Sequence, residues 1–190
     1  MQSNTVIFET ARLVIRKATA APEDVEFLYF LWNDSRVMVM VGFPKGLRIS
    51  REEVQKILER AADTEYDRCL LVELKGNGLI IGECKLGAPD EDGVAHTDVK
   101  LMPEHWGNAY GKEIKQGLVD YLFTHTDCRA IKATPNQRNL ASQKMQEAVG
   151  GKRVGEGVHR FPEDKRDWTC DVPHYVYMVF REDWDLQRRP

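Results

Sequence analysis

The sequence predicts one α/β domain, of the α+β kind, with a mixed, mainly antiparallel central sheet of about seven strands flanked by about four helices. Three observations carry that expectation. Residues 68–102 read as three apolar strands joined by polar turns, Lys75-Gly76-Asn77-Gly78 and Pro89-Asp90-Glu91-Asp92-Gly93, and such neighbours pair antiparallel. The period then switches, because Tyr110, Ile114, Leu118, Val119 and Leu122 recur at helical spacing. Beyond that helix, short strands and one short helix alternate. No repeat, low-complexity tract or linker interrupts residues 1–190, so they form one domain.

Each element has a local reason. Residues 6–16 read as an opening strand with a break near Thr10, in which Leu13 and Ile15 alternate with Arg12, Val14 and Arg16. Residues 22–33 are a helix. Pro22 suits its first position, Glu23 and Asp24 suit the positive end of its dipole, and Val25, Leu28 and Trp32 share a face. Residues 50–64 are a second helix, started by the capping box Ser50-Arg51-Glu52-Glu53 and striped by Val54, Ile57, Leu58 and Ala61. Strands follow near 68–74, 79–87 and 94–102, then the long helix through about 124. Residues 129–134 are a short strand. Residues 140–149 are a helix ended by Gly150-Gly151. Strands at 152–160 and 172–181 enclose a polar loop.

Composition excludes several classes. Hydrophobic residues make up 42% and charged residues 30%, a globular balance. A net charge of −3 gives no electrostatic footprint for nucleic acid or an anionic membrane. The tail Gln187-Arg188-Arg189-Pro190 is too short to change that. Cys69, Cys84, Cys128 and Cys170 form no Cys-x-x-Cys pair and read as reduced thiols of a cytoplasmic protein. The start, Met1-Gln2-Ser3-Asn4-Thr5, predicts no signal peptide, and no apolar run is long enough to span a membrane. Cys170 and His174 alone make no metal site, so none is expected.

The informative junction is Pro103, then Glu104-His105-Trp106-Gly107-Asn108-Ala109-Tyr110-Gly111, then the long helix. Pro103 has no N–H and ends the strand's pairing. Gly107, Ala109 and Gly111 are small and let the backbone approach a ligand. The first N–H groups of a helix lack internal partners and point outward at its positive end, which suits a diphosphate. A Walker loop is excluded, because three residues separate Gly107 from Gly111 and Glu113 follows Lys112 where Ser or Thr is required. A dinucleotide fingerprint fails on spacing and on the preceding meander.

The segment resembles the acetyl-CoA loop of the GNAT superfamily of N-acetyltransferases, Gln/Arg-x-x-Gly-x-Gly/Ala. Gly107 and Ala109 match its last two fixed positions, and Glu104 departs from the first. The Pro-Glu-x-Trp-Gly form is similar to the subgroup related to ribosomal-protein N-terminal acetyltransferases. So are Thr10-Ala11-Arg12-Leu13-Val14-Ile15-Arg16, Asn139-Leu140-Ala141-Ser142 with Gly150-Gly151, and the closing Tyr177-Met178-Val179-Phe180-Arg181-Glu182-Asp183-Trp184. Gly151 stands where that subgroup has an aromatic residue. These segments run in the expected order from about residue 8 to 184.

The resemblance implies a GNAT-like fold and direct acetyl transfer from acetyl-CoA to a primary amine in a ternary complex. Backbone N–H groups of Gly107, Asn108, Ala109, Tyr110, Gly111 and Lys112 would cradle the pyrophosphate. Backbone at Leu101 and Met102 would pair with the pantetheine arm. Asn139 and Ser142 would reach the arm or the thiol end. The Tyr that often protonates the leaving thiolate is matched here by Gln146. Acceptors would be a protein N-terminus, a lysine or a small amine, and a monomer or homodimer is expected.

The attacking amine must lose a proton, since an ordinary lysine amine has a pKa of about 10.4. Glu83 and Asp98 are the candidate bases, with His96 a third. Trp106 is expected to pack under the loop. The alternative is a non-catalytic acyl-CoA-binding module of the same fold.

Overall fold

A computed structural model describes residues 5–188. Residues 1–4, on which most of the signal-peptide expectation rests, and Arg189 and Pro190 of the basic tail lie outside the described residues. The strands are β1 (Val6–Glu9), β2 (Leu13–Lys17), β3 (Leu70–Leu74), β4 (Ile80–Leu86), β5 (Val94–Leu101), β6 (Ala130–Ala133), β7 (Lys152–His159) and β8 (Val172–Phe180). The helices are α1 (Pro22–Asn33), α2 (Ser35–Met38), α3 (Arg51–Glu59), α4 (Tyr110–His125), α5 (Leu140–Glu147) and α6 (Arg181–Gln187). The sheet runs in the order β1-β2-β3-β4-β5-β6-β8-β7. Every neighbour is antiparallel except β5 and β6, which are parallel.

The class is as expected and the counts are corrected. The sheet has eight strands because the opening segment folds back on itself instead of running on. Thr10 makes the turn: its N–H donates to the Leu13 oxygen at 2.9 Å, and its hydroxyl accepts from the Leu13 N–H at 3.1 Å. Two further helices appear. α2 is four residues, too short for a period, and starts where the Asp34 side chain accepts from the Arg36 N–H at 2.8 Å. α6 follows β8 directly, with Glu182 and Asp183 in its first turn.

The capping box of α3 is present as read, with Ser50 N–H to Glu53 Oε2 at 2.8 Å and Glu53 N–H to Ser50 Oγ at 3.2 Å. That helix stops at Glu59 rather than 64. Val54 and Leu58 are buried, but Ile57 is 47% exposed, so the apolar stripe ends too early to hold another turn. On α1, Leu31 rather than Trp32 completes the buried face with Val25 and Leu28.

Each face of the sheet has its own core. On one, Ile114, Leu118, Val119 and Leu122 of α4 pack on Leu13, Ile15, Leu70, Val72, Leu86 and Ala95. On the other, Leu28 and Leu31 of α1 and Val54 and Leu58 of α3 pack on Leu71. Buried charge also enters this architecture: Arg16 of β2, 2% exposed, is held by Asp24 of α1 and by Glu73 of β3.

Candidate active site

The site begins where the sheet opens. The last residue pair between β5 and β6 is His96 with Lys132. From Thr97 onward β5 stays with β4, while Ala133 of β6 stays with Tyr177 of β8. The sheet therefore parts into a wedge. Alternation in the antiparallel ladder decides what faces it. Gly87 donates to the His96 oxygen at 2.6 Å and Met102 donates to the Ile81 oxygen at 3.0 Å, so even-numbered β5 residues bond to β4. The backbone groups of Val99 and Leu101 are turned to the wedge. Leu101 thus lies on the open edge, whereas the N–H of Met102, expected beside it, is committed to β4. The Leu101 oxygen accepts from Trp106 Nε1 at 2.9 Å. Trp106 is half-exposed and pins the strand end, so the loop rides on it rather than burying it.

At the mouth of the wedge sits the turn into α4. Gly107 has φ 78° and Ala109 has φ 60°. Ala109 is the N-cap of α4 and supplies no side-chain cap, so the N–H groups of Tyr110, Gly111 and Lys112 point out of the helix end. A non-Gly residue held left-handed costs about 1–2 kcal/mol, and that cost shapes the turn. The turn is fastened from outside. Glu113 of α4 accepts from the Thr10 hydroxyl at 2.6 Å, the Arg12 N–H at 2.8 Å and Arg12 Nε at 2.6 Å, and Arg12 Nη2 reaches the Asn108 oxygen at 3.1 Å. Asn108 Nδ2 binds the oxygens of His105 and Trp106, which locks the loop internally. A Cβ at Gly111 would sit 3.1 Å from Met145 Sδ, so glycine there lets α5 close beside α4. The concave backbone is receptive to an anion. Glu104 turns away from it, to Arg36 Nη2 at 3.1 Å, and a hydrogen bond from its own backbone N–H, then Arg36, holds its carboxyl below the usual carboxylate range.

Asn139 caps α5, its Oδ1 accepting from the Ser142 N–H at 3.0 Å. Ser142 is half-buried in the first turn. Gln146, further along α5, is buried at 3% exposure.

The opposite face of β5 carries the carboxylates. Lys100 Nζ lies 2.9 Å from Glu83 Oε1 and also bonds Asp98 Oδ2, while Cys69 Sγ donates to Glu83 Oε2 at 3.1 Å. Burial pushes the Cys69 thiol far up, helped by Glu83. Burial opposes the Lys100 charge, but Asp98 and Glu83 outweigh it and hold that ammonium above the usual lysine range. Burial likewise opposes the Asp98 charge, and Lys100 together with the Val99 N–H overcomes it, so Asp98 is ionised at neutral pH. Glu83, Asp98 and Lys100 line a pocket of about 600 Å³ with Trp32, Tyr66 and Arg68. His96, lowered by burial and by Lys132, lies at the closed end of the wedge beside Lys132 and outside that pocket.

One residue escaped the sequence reading. Lys115 of α4 is 1% exposed and donates to Thr97 Oγ1 on the face away from Asp98. Burial pushes its ammonium down to about 7, against the pull of Asp98. Its signal was present: Lys115, Val119 and Leu122 share the apolar face of the helix.

Among the described residues no cluster of His, Cys, Asp and Glu could hold a metal, and no helix is long and apolar enough to cross a membrane.

Known proteins agree with this architecture. An uncharacterised N-acetyltransferase, p20, of Bacillus licheniformis is 26% identical over 178 residues, covering 92% of this chain and 96% of that protein. A GNAT-family acetyltransferase from Bacillus anthracis shares the fold with a TM-score of 0.75 at 21% identity, over 92% of this chain and 98% of that one. Spermidine N-acetyltransferase from Vibrio cholerae, solved with CoA and spermine, shares it with a TM-score of 0.72 at 19% identity, over 90% and 96%. The family model of the acetyltransferase (GNAT) domain matches residues 12–152, which include the wedge, the turn into α4 and all of α5, and the chain belongs to that family of acetyltransferases.

Proposed function

We propose that the protein transfers the acetyl group of acetyl-CoA to a primary amine that enters the pocket over Glu83 and Asp98. The observation that carries this reading is the wedge between β5 and β6, with an anion cradle at its mouth and ionised carboxylate on its far face. The residues fit the donor. The backbone from Gly107 to Lys112 would hold the pyrophosphate, and the open edge at Val99 and Leu101 would pair with the pantetheine arm. Asn139 and Ser142, at the start of α5, would border that arm. Acetyl-CoA supplies the thioester. An outward N–H on β5 would receive the developing oxyanion.

The chain supplies the rest. A cationic amine is drawn to Asp98, whose charge persists at neutral pH. Asp98 is half-exposed, so it can take the amine's proton through water, while Glu83 is tied to both Lys100 and Cys69 and serves to hold Lys100. The spermine-bound relative supports a small polyamine or other small amine as acceptor, and a peptide amine fits the same chemistry.

A CoA-release assay over polyamines, amino acids, aminoglycosides and N-terminal peptides tests the reading. At least one amine should be acetylated. In Asp98→Asn the rate on that amine should fall about 100-fold, and in Glu83→Gln by less. If neither variant lowers the rate, the carboxylate face is not the acceptor side. Tight CoA binding without release on any amine returns the non-catalytic alternative.

A further inference from the structure

A lysine buried to 1% exposure in an apolar helix face is costly, and packing does not require it. Its neighbours along that face are Ile114, Leu118 and Val119, any of which would fill the space without a charge to desolvate. The position of its amine is therefore informative. Thr97, its hydrogen-bond partner, is the first β5 residue beyond the last β5–β6 pair. The amine thus reaches the base of the wedge from the α4 side. Asp98 and Lys100 project from the other side of the same strand, because successive residues alternate.

We propose that Lys115 is the acid that protonates the departing CoA thiolate at the base of the wedge. This rests on the reading of the wedge as the seat of the thioester. The step balances. The acceptor nitrogen's lone pair forms the C–N bond, and the C–S bond breaks with its electron pair on sulfur. The Lys115 ammonium gives its proton to that sulfur and becomes a neutral amine. The proton lost by the acceptor nitrogen leaves through water on the Asp98 side, and Lys115 recovers one from water before the next turnover. A thiol of ordinary pKa, about 8.5, accepts readily from an ammonium that burial has made acidic. A bare thiolate among apolar side chains would pay its full desolvation cost.

Other groups on this face do not serve. Gln146, the buried residue of α5, does not titrate, and Lys144 and Glu147 of α5 are exposed. The Cys84 thiol of β4, in the same core, is held protonated by burial and then by Glu83. Asp98 is the charged group that acts on Lys115, and it favours the ammonium.

The experiment compares wild type with Lys115→Met by three measurements: CoA affinity by calorimetry, the titration of the bound CoA thiol by thiolate absorbance, and kcat against pH with acetyl-CoA and a free amine that the enzyme acetylates. Lys115→Met should keep CoA affinity within about threefold, since the cradle is untouched. Its kcat should fall about 100-fold. The alkaline decline of kcat that deprotonation of Lys115 causes in wild type should vanish. The bound thiol should titrate at slightly higher pH in the variant, by about a few tenths of a pH unit, because most of Lys115 is already neutral at about pH 8.5. Unchanged kcat, pH limb and thiol titration would make Lys115 structural and overturn the proposal. Wild type that binds no CoA would overturn the wedge reading, and this proposal with it. If Lys115→Met does not fold, Thr97→Val decides. It leaves Lys115 in place but removes its anchor, and it should shift both the alkaline limb and the thiol titration; no movement in either overturns the assignment.

Discussion

Asp24→Ala should destabilise the fold by about 3–5 kcal/mol, measured as a lowered urea midpoint. Asp24 is fully buried and meets Arg16 with two oxygens, Nη1 to Oδ2 at 2.8 Å and Nη2 to Oδ1 at 2.7 Å. It also accepts from the Thr19 N–H at 2.8 Å and the Thr19 hydroxyl at 2.9 Å. Removing it strands a guanidinium that is 2% exposed, with Glu73 its remaining carboxylate partner at 2.5 Å. The cost is that of the unpaired charge, not the worth of the pair. Arg16→Met combined with Asp24→Leu should therefore recover most of the loss. A cost under about 1 kcal/mol in the single variant would mean that Arg16 escapes to water.

The same pair sets a pH dependence. Burial opposes the Asp24 charge, but Arg16 and Thr19 outweigh it and hold the carboxyl below its ordinary value. A carboxyl lower in the folded state contributes stability above its unfolded pKa, about 3.9, and loses it as pH falls through the folded value. Wild type should thus lose stability below about pH 4 more steeply than Asp24→Leu with Arg16→Met. The consequence reaches the site, because Asp24 ties α1 to β2. α1 and the α2 turn that follows it carry Trp32 of the pocket wall and Arg36, the partner of Glu104.

Local chemistry made much of this legible from the sequence. The meander, the switch to helical period at Tyr110 and the capping box at Ser50 depend on residues close in the chain, and the structure has each of them. The break near Thr10 was visible, but its meaning as a reversal into β1 and β2 was not, since Thr10 acts through its hydroxyl and Glu113 lies 103 residues away. The candidate carboxylates were visible as residue types on strands. Their neutralising partner was not, because Lys100 meets Glu83 only through the register that sets Glu83 opposite Lys100. Lys115 shows a different failure. Its helical position was readable, but a lysine on an apolar stripe is ordinarily taken for a flexible edge residue, and only the Thr97 contact fixes its amine inward. Arg16 is the same case on a strand.

Ala109→Val should reduce CoA affinity more than about 100-fold while the protein stays folded. Ala109 holds φ 60° at the start of α4, where a β-branched residue is a genuine outlier. Valine has two ways to relieve that strain. It can keep the left-handed turn and crowd the cradle with its methyl groups. It can instead swing the peptide to negative φ, which turns away the N–H groups that a diphosphate would need. Both spoil the anion site, and neither reaches the core, because Glu113 with Thr10 and Arg12, and Trp106 with the Leu101 oxygen, clamp the loop on both sides. Ala109→Gly is the matched control. It adopts the left-handed angle freely, so it should keep CoA affinity and lie within about 1 kcal/mol of wild type in stability. Calorimetry with CoA and a thermal melt on both variants separate the outcomes. Affinity lost in valine but kept in glycine ties the cofactor to this backbone turn. Affinity kept in valine places the diphosphate elsewhere, and lost stability in valine would mean that the clamps hold the loop less firmly than their distances imply.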